Sequence, residues 1–200
     1  DSGTLSLKDG RSVAINTCIK GENDDLVLLA AAGAVEGLSV GDTVEAILDW
    51  DRRFAHMAMH TSLHLLCASI DAGVTGGSIG AEKSRLDFDL EDAPDKEALE
   101  QRLNDLIAGN HDVLASTITA QALDAQPELV RTMSVAPPRD ASGLIRVVRS
   151  GTETAPIDFQ PCGGTHVANT SEIGRVRIGK VEKKGKQNRR ININWEPANA

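Results

Sequence analysis

Two short stretches of this 200-residue chain carry residues able to grip a metal ion. HTSLH, residues 60–64, places two imidazoles four residues apart, and CGGTH, residues 162–166, places a thiol and an imidazole at the same spacing. On a helix, residues i and i+4 share a face with Cβ atoms about 5–6 Å apart. His60 and His64 would thus present both rings on one side, which suits a tetrahedral ion with Zn–N bonds of about 2.0–2.1 Å. Such a helix supplies only two ligands, and Cys162 and His166 are the natural suppliers of the rest. Gly163 and Gly164 allow positive φ, so a short loop could curl Cys and His around one ion. A His, His, Cys, His set is borderline-soft and favours zinc. Either pair alone is what an ordinary helix surface or loop would show. Together they use three of the five histidines and one of the three cysteines. The zinc-protease pattern HExxH is absent, because Thr61 follows His60, so the helix carries no Glu as general base. His56 and His111 read as structural or surface residues, and Cys67 as a small core residue.

The elements that must position these residues follow from periodicity. Residues 51–72 repeat Met59, Leu63, Leu66, Cys67 and Ile70 at helical steps, with Gly73 as the stop. Residues 85–90 alternate Leu86, Phe88 and Leu90 against Arg85, Asp87 and Asp89, the pattern of a half-buried strand. Pro94-Asp95 opens a second helix carrying Leu99, Leu103, Leu106 and Ile107. Gly109-Asn110 breaks it, and a further helix is expected over 112–124. Pro137-Pro138 interrupts, and 144–148, 173–181 and 189–195 read as strands. Before residue 50, short strands at 4–7, 13–15, 26–29 and 44–48 are divided by a turn at Lys8–Arg11 and loops at Gly37 and Gly41. The fold class expected is α+β. Residues 1–50 read as part of a small barrel or sandwich, and 51–200 as a second domain with helices early and strands late.

Composition narrows the function classes. Hydrophobic residues make up 40% and aromatics only 2%, so the core relies on Leu, Val, Ile and Ala. No apolar run approaches the ~20 residues that span a bilayer, and no basic-then-apolar leader opens the chain. A membrane partner is not expected. The chain starts at Asp1 rather than Met, as a fragment or processed product would. Three cysteines without regular spacing are no disulfide framework, and a reducing cytoplasm is expected. Net charge is -8, which argues against general nucleic-acid binding. Yet residues 175–190 hold eight Lys or Arg against one acid, Glu182, giving +7 there and -15 elsewhere. Such a stripe could steer one phosphate-bearing partner, or simply be the solvated face of a strand pair.

The motifs resemble a known family. HTSLHLL together with CGGTHVANTSEIG is similar to the editing domain of alanyl-tRNA synthetase and its free-standing relatives, the AlaX proteins. RLDFD follows the first motif at a family-like distance, and KGKQNRRININW resembles the basic closing strand. DSGTLSL looks like the stretch after the glycine-rich GGGQP-type segment of an N-terminal barrel, so the start of that barrel is expected to be missing. With no aminoacylation domain in these 200 residues, the resemblance implies a free-standing editor of the medium-length kind, with a monomer as the expected state. It also implies a small N-terminal β-barrel-like domain over 1–50 and a threonyl/alanyl-tRNA synthetase-like editing fold over 51–200, with helices packed on an antiparallel sheet. The implied metal ligands are His60, His64, Cys162 and His166.

The implied activity is hydrolysis of the ester in mischarged tRNA for alanine, chiefly Ser-tRNA and also Gly-tRNA. Family members place a Gln or Thr beside the substrate after the first helix, and the spacing of VTGGSIG to RLDFD puts Thr75 there. Thr75 and Cys162 are thus the expected catalytic residues. Gly76, Gly77, Gly163 and Gly164 could bring backbone N–H groups close to the substrate, and Lys183, Lys184, Lys186, Arg189 and Arg190 could meet tRNA phosphates. Four protein ligands fill a tetrahedron, so the metal would expand its shell, or keep one weak ligand, or merely shape the pocket. The residues leave these three open. Two other functions fit the same residues: an RNA-binding module closed by a structural zinc, and a small-ester or amide hydrolase without tRNA.

Overall fold

Turn chemistry sets the first hairpin. Gly10 takes a φ of 87°, which a residue without Cβ adopts freely, and Asp9 accepts from the Arg11 backbone N–H at 3.0 Å. Strand β1 (Gly3–Leu7) therefore folds back onto β2 (Ser12–Lys20). The computed structural model describes residues 1–21, 26–31, 33–133, 136–137, 139 and 142–196; Pro138, half of the expected proline break, lies outside them. With β3 (Leu26–Ala30) and β4 (Val44–Leu48), these strands form an antiparallel sheet in the order β3-β2-β1-β4. Four antiparallel strands are observed, with β3 and β4 at the two edges, and the barrel is met only at that coarser level. This sheet belongs to a compact unit spanning Asp1–Phe54; a second unit spans Ala55–Ala200.

Helix α1 (Trp50–Ala68) starts where Asp49 accepts from the Arg52 N–H at 3.2 Å, an N-cap that satisfies a free donor of the first turn. It ends five residues before Gly73. Arg131 replaces the expected glycine stop by donating to the carbonyls of Cys67, Ile70 and Ala72 at 2.7–3.2 Å. Met59, Leu65 and Leu66 along the helix are fully buried, and Cys67 is 2% exposed, as expected of a core thiol. Burial drives that thiol up to about 11.

The second unit has two antiparallel sheets. One runs β10-β11-β6-β5, built from β5 (Val74–Ser78), β6 (Lys83–Phe88), β10 (Arg175–Gly185) and β11 (Asn188–Glu196). Strand β6 stops at Phe88, two residues short of the expected end. Its supposed outward Asp87 is 9% exposed, because Arg85 and Arg190 cover it. Those hydrogen bonds, Arg190's foremost, outweigh burial and hold its carboxyl below the usual carboxylate range. Helix α2 (Lys96–Ala108) is capped by Asp95, which accepts from Ala98 N. Leu99, Leu103 and Ile107 are its buried stripe. Its polar side chains satisfy the outer strand: Asn104 donates to Val176 O and accepts from Val176 N, and Glu100 accepts from Ile178 N. A sheet edge bonded in this way offers fewer free groups to another strand.

The other sheet runs β7-β8-β9: β7 (Val113–Thr119), β8 (Leu144–Gly151) and β9 (Pro156–Pro161). Most of the helix expected over 112–124 is strand β7. Val113, Thr117, Ile118 and Thr119 are β-branched and favour a pleated surface, and β8 pairs with them residue for residue. Only the end is helical, as α3 (Ala120–Asp124), capped by Thr119. The strand expected from 173 begins at Arg175, after a 3-10 turn at Thr170–Ile173 and Gly174 at φ 85°. Among the described residues, no helix is long and apolar enough to cross a membrane.

Candidate metal centre and cavity

The four expected ligands do converge. One ligand atom from each of His60, His64, Cys162 and His166 lies within 4.8 Å of every other. Cys162 Sγ is 3.5 Å from His60 Nε2 and 3.3 Å from His166 Nε2. A tetrahedral zinc with the usual bond lengths spaces sulfur and nitrogen by roughly 3.5 Å. The donors are therefore set for such an ion.

The back of each ring fixes its tautomer. His60 Nδ1 is 3.2 Å from Thr165 O, which can only accept. His64 Nδ1 is 2.7 Å from the Asp158 carboxylate. His166 Nδ1 is 3.1 Å from Thr61 Oγ1, whose single proton goes to Met57 O at 3.0 Å, so the hydroxyl accepts from the ring. Each Nδ1 is thus the N–H side, and each Nε2 faces the thiol side of the cluster. A ring nitrogen made a donor leaves the other as a metal ligand.

The sulfur is held as firmly. Gly164 N–H points at Cys162 Sγ at 3.4 Å, and Arg146, on β8, donates to the carbonyls of Cys162 and Gly164 at 2.6 and 2.9 Å. Burial works against a thiolate here, yet the hydrogen bonds of His166, His60 and His64 prevail and bring Cys162 down to about 3. Burial likewise opposes a charged His64, but Asp158 and Cys162 outweigh it and lift the imidazole to about 9. Burial pushes His166 down to about 4, against its contact with Cys162.

Gly164 serves the site differently from the expectation. Among the described residues, glycines with positive φ do not include 163 or 164. A Cβ on Gly164 would overlap the His60 ring instead, so close approach is what requires glycine there. His60, His64 and Cys162 also line a cavity of about 500 Å³, with Leu63, Cys67, Val74, Leu86 and Pro161 as apolar walls. Gly76 and Gly77 border this cavity, and Gly163 borders a smaller one of about 210 Å³ beside it.

Thr75 does not reach the cavity. It sits on β5, donates to Asp87 O at 3.2 Å and accepts from Asn188 Nδ2 at 2.9 Å. The segment is a strand, and Thr75 falls at a register shift of its pairing with β6, between Val74 and Gly76. Ser78, Thr132 and Gln160 are the cavity's uncharged polar side chains. His56 and His111 stand outside the cluster. The basic stripe divides as well. Arg190 is bound to Asp87, and Arg189 is buried and donates to Gly185 O and Asn188 O. Neither is presented as the expected phosphate contact, because both guanidiniums are spent on the sheet. Arg177 pairs with Glu196, and Lys180 and Lys184 with Glu182. Lys183, Lys184 and Lys186 are exposed, and Lys183 and Lys186 have no acidic partner among the described residues.

Sequence reasoning missed Thr61, Arg146, Asp158 and Gln160. A signal existed for two of them. In DFQPC, Asp158, Gln160 and Cys162 recur at strand period on one face, but β9 itself went unread between its two prolines.

Residues 145–192 match the family described as threonyl and alanyl tRNA synthetase second additional domain. The alanyl-tRNA editing protein AlaX-M of Saccharolobus solfataricus is 30% identical over 201 residues, covering 98% of this chain and 82% of that protein. The chain belongs to the AlaX family of alanyl-tRNA editing proteins. AlaX-M of Methanosarcina mazei is 40% identical over 163 residues, 78% of this AlaX chain, which spans 62% of that relative's length. The alanine–tRNA ligase of Pyrobaculum aerophilum is 38% identical over 154 residues, 72% of this chain and 17% of the ligase. The four residues able to hold a metal ion in this AlaX chain are carried by α1 and by the CGGTH loop after β9, with the rings oriented from behind by Thr61, Asp158 and Thr165.

Proposed function

We propose that this chain is an aminoacyl-tRNA deacylase. In this reading it hydrolyses the ester of mischarged tRNA for alanine, Ser-tRNA chiefly and Gly-tRNA also, with zinc on His60, His64, Cys162 and His166. One observation carries the reading: three of the four convergent ligands, His60, His64 and Cys162, line a cavity large enough for an aminoacyl group. An RNA-binding module closed by a structural zinc would need the ligands but not the cavity. The names of the relatives, alanyl-tRNA editing protein and alanine–tRNA ligase, agree with it.

When bound, zinc supplies a Lewis acid for the ester carbonyl and lowers the pKa of a bound water. The chain's own residues bind and select. Leu63, Val74 and Leu86 exclude water from the acyl group. Gly76 and Gly77 let the backbone approach it. Ser78, Thr132 and Gln160 are the groups able to pair with a serine hydroxyl, and alanine would leave them unpaired, which disfavours the correctly charged tRNA. Thr75 acts behind them as a positioning residue, tying β5 to β6 and β11. Lys183, near the end of β10, and Lys186, in the turn that follows it, meet phosphates of the tRNA, with Lys184 between them paired to Glu182. Residues 1–50 are assigned to the N-terminal barrel portion, 51–200 to the editing domain, and the cytoplasm to the protein.

Deacylation of Ser-, Gly- and Ala-charged tRNA for alanine tests this. Wild type should release serine fastest and spare alanine. Cys162→Ala should cost at least about tenfold, since losing even an outer partner of a ligand costs that much. Wild-type release no faster than spontaneous hydrolysis would overturn the deacylase reading.

A further inference from the structure

Strand β9 carries a carboxylate that the ligand set does not use. Asp158 is buried, its side chain 4% exposed, and its only ion-pair partner among the described residues is His64. Gln160 braces it, donating to Oδ1 at 2.9 Å and to Oδ2 at 3.0 Å. Both Asp158 oxygens are therefore held, and Oδ2 receives the His64 N–H at 2.7 Å. A carboxylate buried without Lys or Arg is costly unless another positive charge compensates it.

The charge count of a loaded site supplies that compensation. A divalent cation with one thiolate and three neutral imidazoles carries a single net positive charge. One carboxylate behind one imidazole cancels it. Asp158 occupies that place, and no other Asp or Glu is ion-paired to a ligand among the described residues. We infer that Asp158, braced by Gln160, is a positioning residue of the metal centre: it holds His64 with Nε2 toward the ion and neutralises the loaded site. The inference rests on the metal-site reading proposed above.

Metal-stripped wild type, Asp158→Asn, Asp158→Ala and His64→Ala test it by zinc affinity in competition with a chromophoric chelator. The absorption spectrum of the cobalt-loaded proteins and the melting temperature of the metal-free proteins accompany it. Asp158→Asn keeps an acceptor for His64 and loses only charge, so zinc affinity should fall about tenfold; Asp158→Ala loses both and should fall by about a hundredfold. The cobalt spectrum should change in both, and the metal-free melting temperature of Asp158→Asn should fall as well, because the substitution removes the buried partner of His64. A purely structural Asp158 would show the lower melting temperature alone, with zinc affinity and cobalt spectrum unchanged. That result overturns the inference. If His64→Ala lowers zinc affinity and the Asp158 variants do not, the metal site stands and the inference alone falls. If wild type binds no zinc, both fall together.

Discussion

Cys162 is where burial and hydrogen bonding oppose each other most strongly. Its sulfur lies within 3.5 Å of two imidazole nitrogens, and its thiol is brought down to about 3. A group held that low is thiolate throughout the range in which the protein is handled. An ordinary thiol, with a pKa of about 8.5, loses about tenfold in thiolate for each pH unit below that value. Alkylation of metal-free protein by iodoacetamide should therefore modify Cys162 at nearly the same rate from pH 8 to pH 5. Zinc should block that reaction. Cys67, pushed up to about 11, should stay unmodified in the folded state. Peptide mapping by mass spectrometry distinguishes the three cysteines. A Cys162 rate that drops tenfold per unit below pH 8 would mean that the histidines do not hold the thiolate. The ligands themselves were legible because HTSLH and CGGTH each keep ligand spacing in the sequence. What sets their tautomers was not, since Thr61 hides inside the first motif as one more helix residue, and Asp158 precedes the second by a strand that the prolines disguised.

At the scale of elements, the site is one helix face pressed against one loop. α1 delivers His60 and His64 through its 3.6-residue period, and that much follows from sequence. The loop's fit does not, because it depends on how closely Gly164 approaches His60 across 104 positions of chain. Positive φ was the plausible reason for the glycine, and steric approach is the observed one. Strand β5 has the same origin of error: spacing alone placed Thr75 beside the substrate, yet β6 pairs with the strand with a register shift at that residue, and its hydroxyl is held by Asp87 O and Asn188. Gly164→Ala should therefore displace the His60 ring while leaving the three sheets intact. Zinc affinity should fall at least about tenfold, with circular dichroism like that of wild type. Zinc binding at wild-type strength would mean that the loop can retreat without disturbing the ligand set.

Across the whole molecule, the contrast is between a chain of net -8 and a segment of +7. Counting charges alone made all eight cations equivalent. The fold separates them, because strand register decides which ones face an acid. Arg190 lies opposite Asp87 across β11 and β6 and is bidentate to it at 2.8 Å. Arg175, Arg177, Lys180 and Lys184 have Glu partners. Lys183, near the end of β10, and Lys186, in the turn after it, remain for a polyanion. A protein that neutralises phosphates releases counterions, so log affinity falls with log salt by about 0.7–0.9 per phosphate contact. Lys183→Glu with Lys186→Glu should weaken tRNA binding and lower that slope by about 1–2, with zinc affinity and melting temperature unchanged. Arg190→Glu should act differently: it strands Asp87 beside a like charge within the sheet and should lower the melting temperature by several degrees, as a loss of about 1 kcal/mol does. Filter binding across a salt series, read beside thermal melts, separates the two. An unchanged slope in the lysine variant would place the tRNA on another face of the molecule.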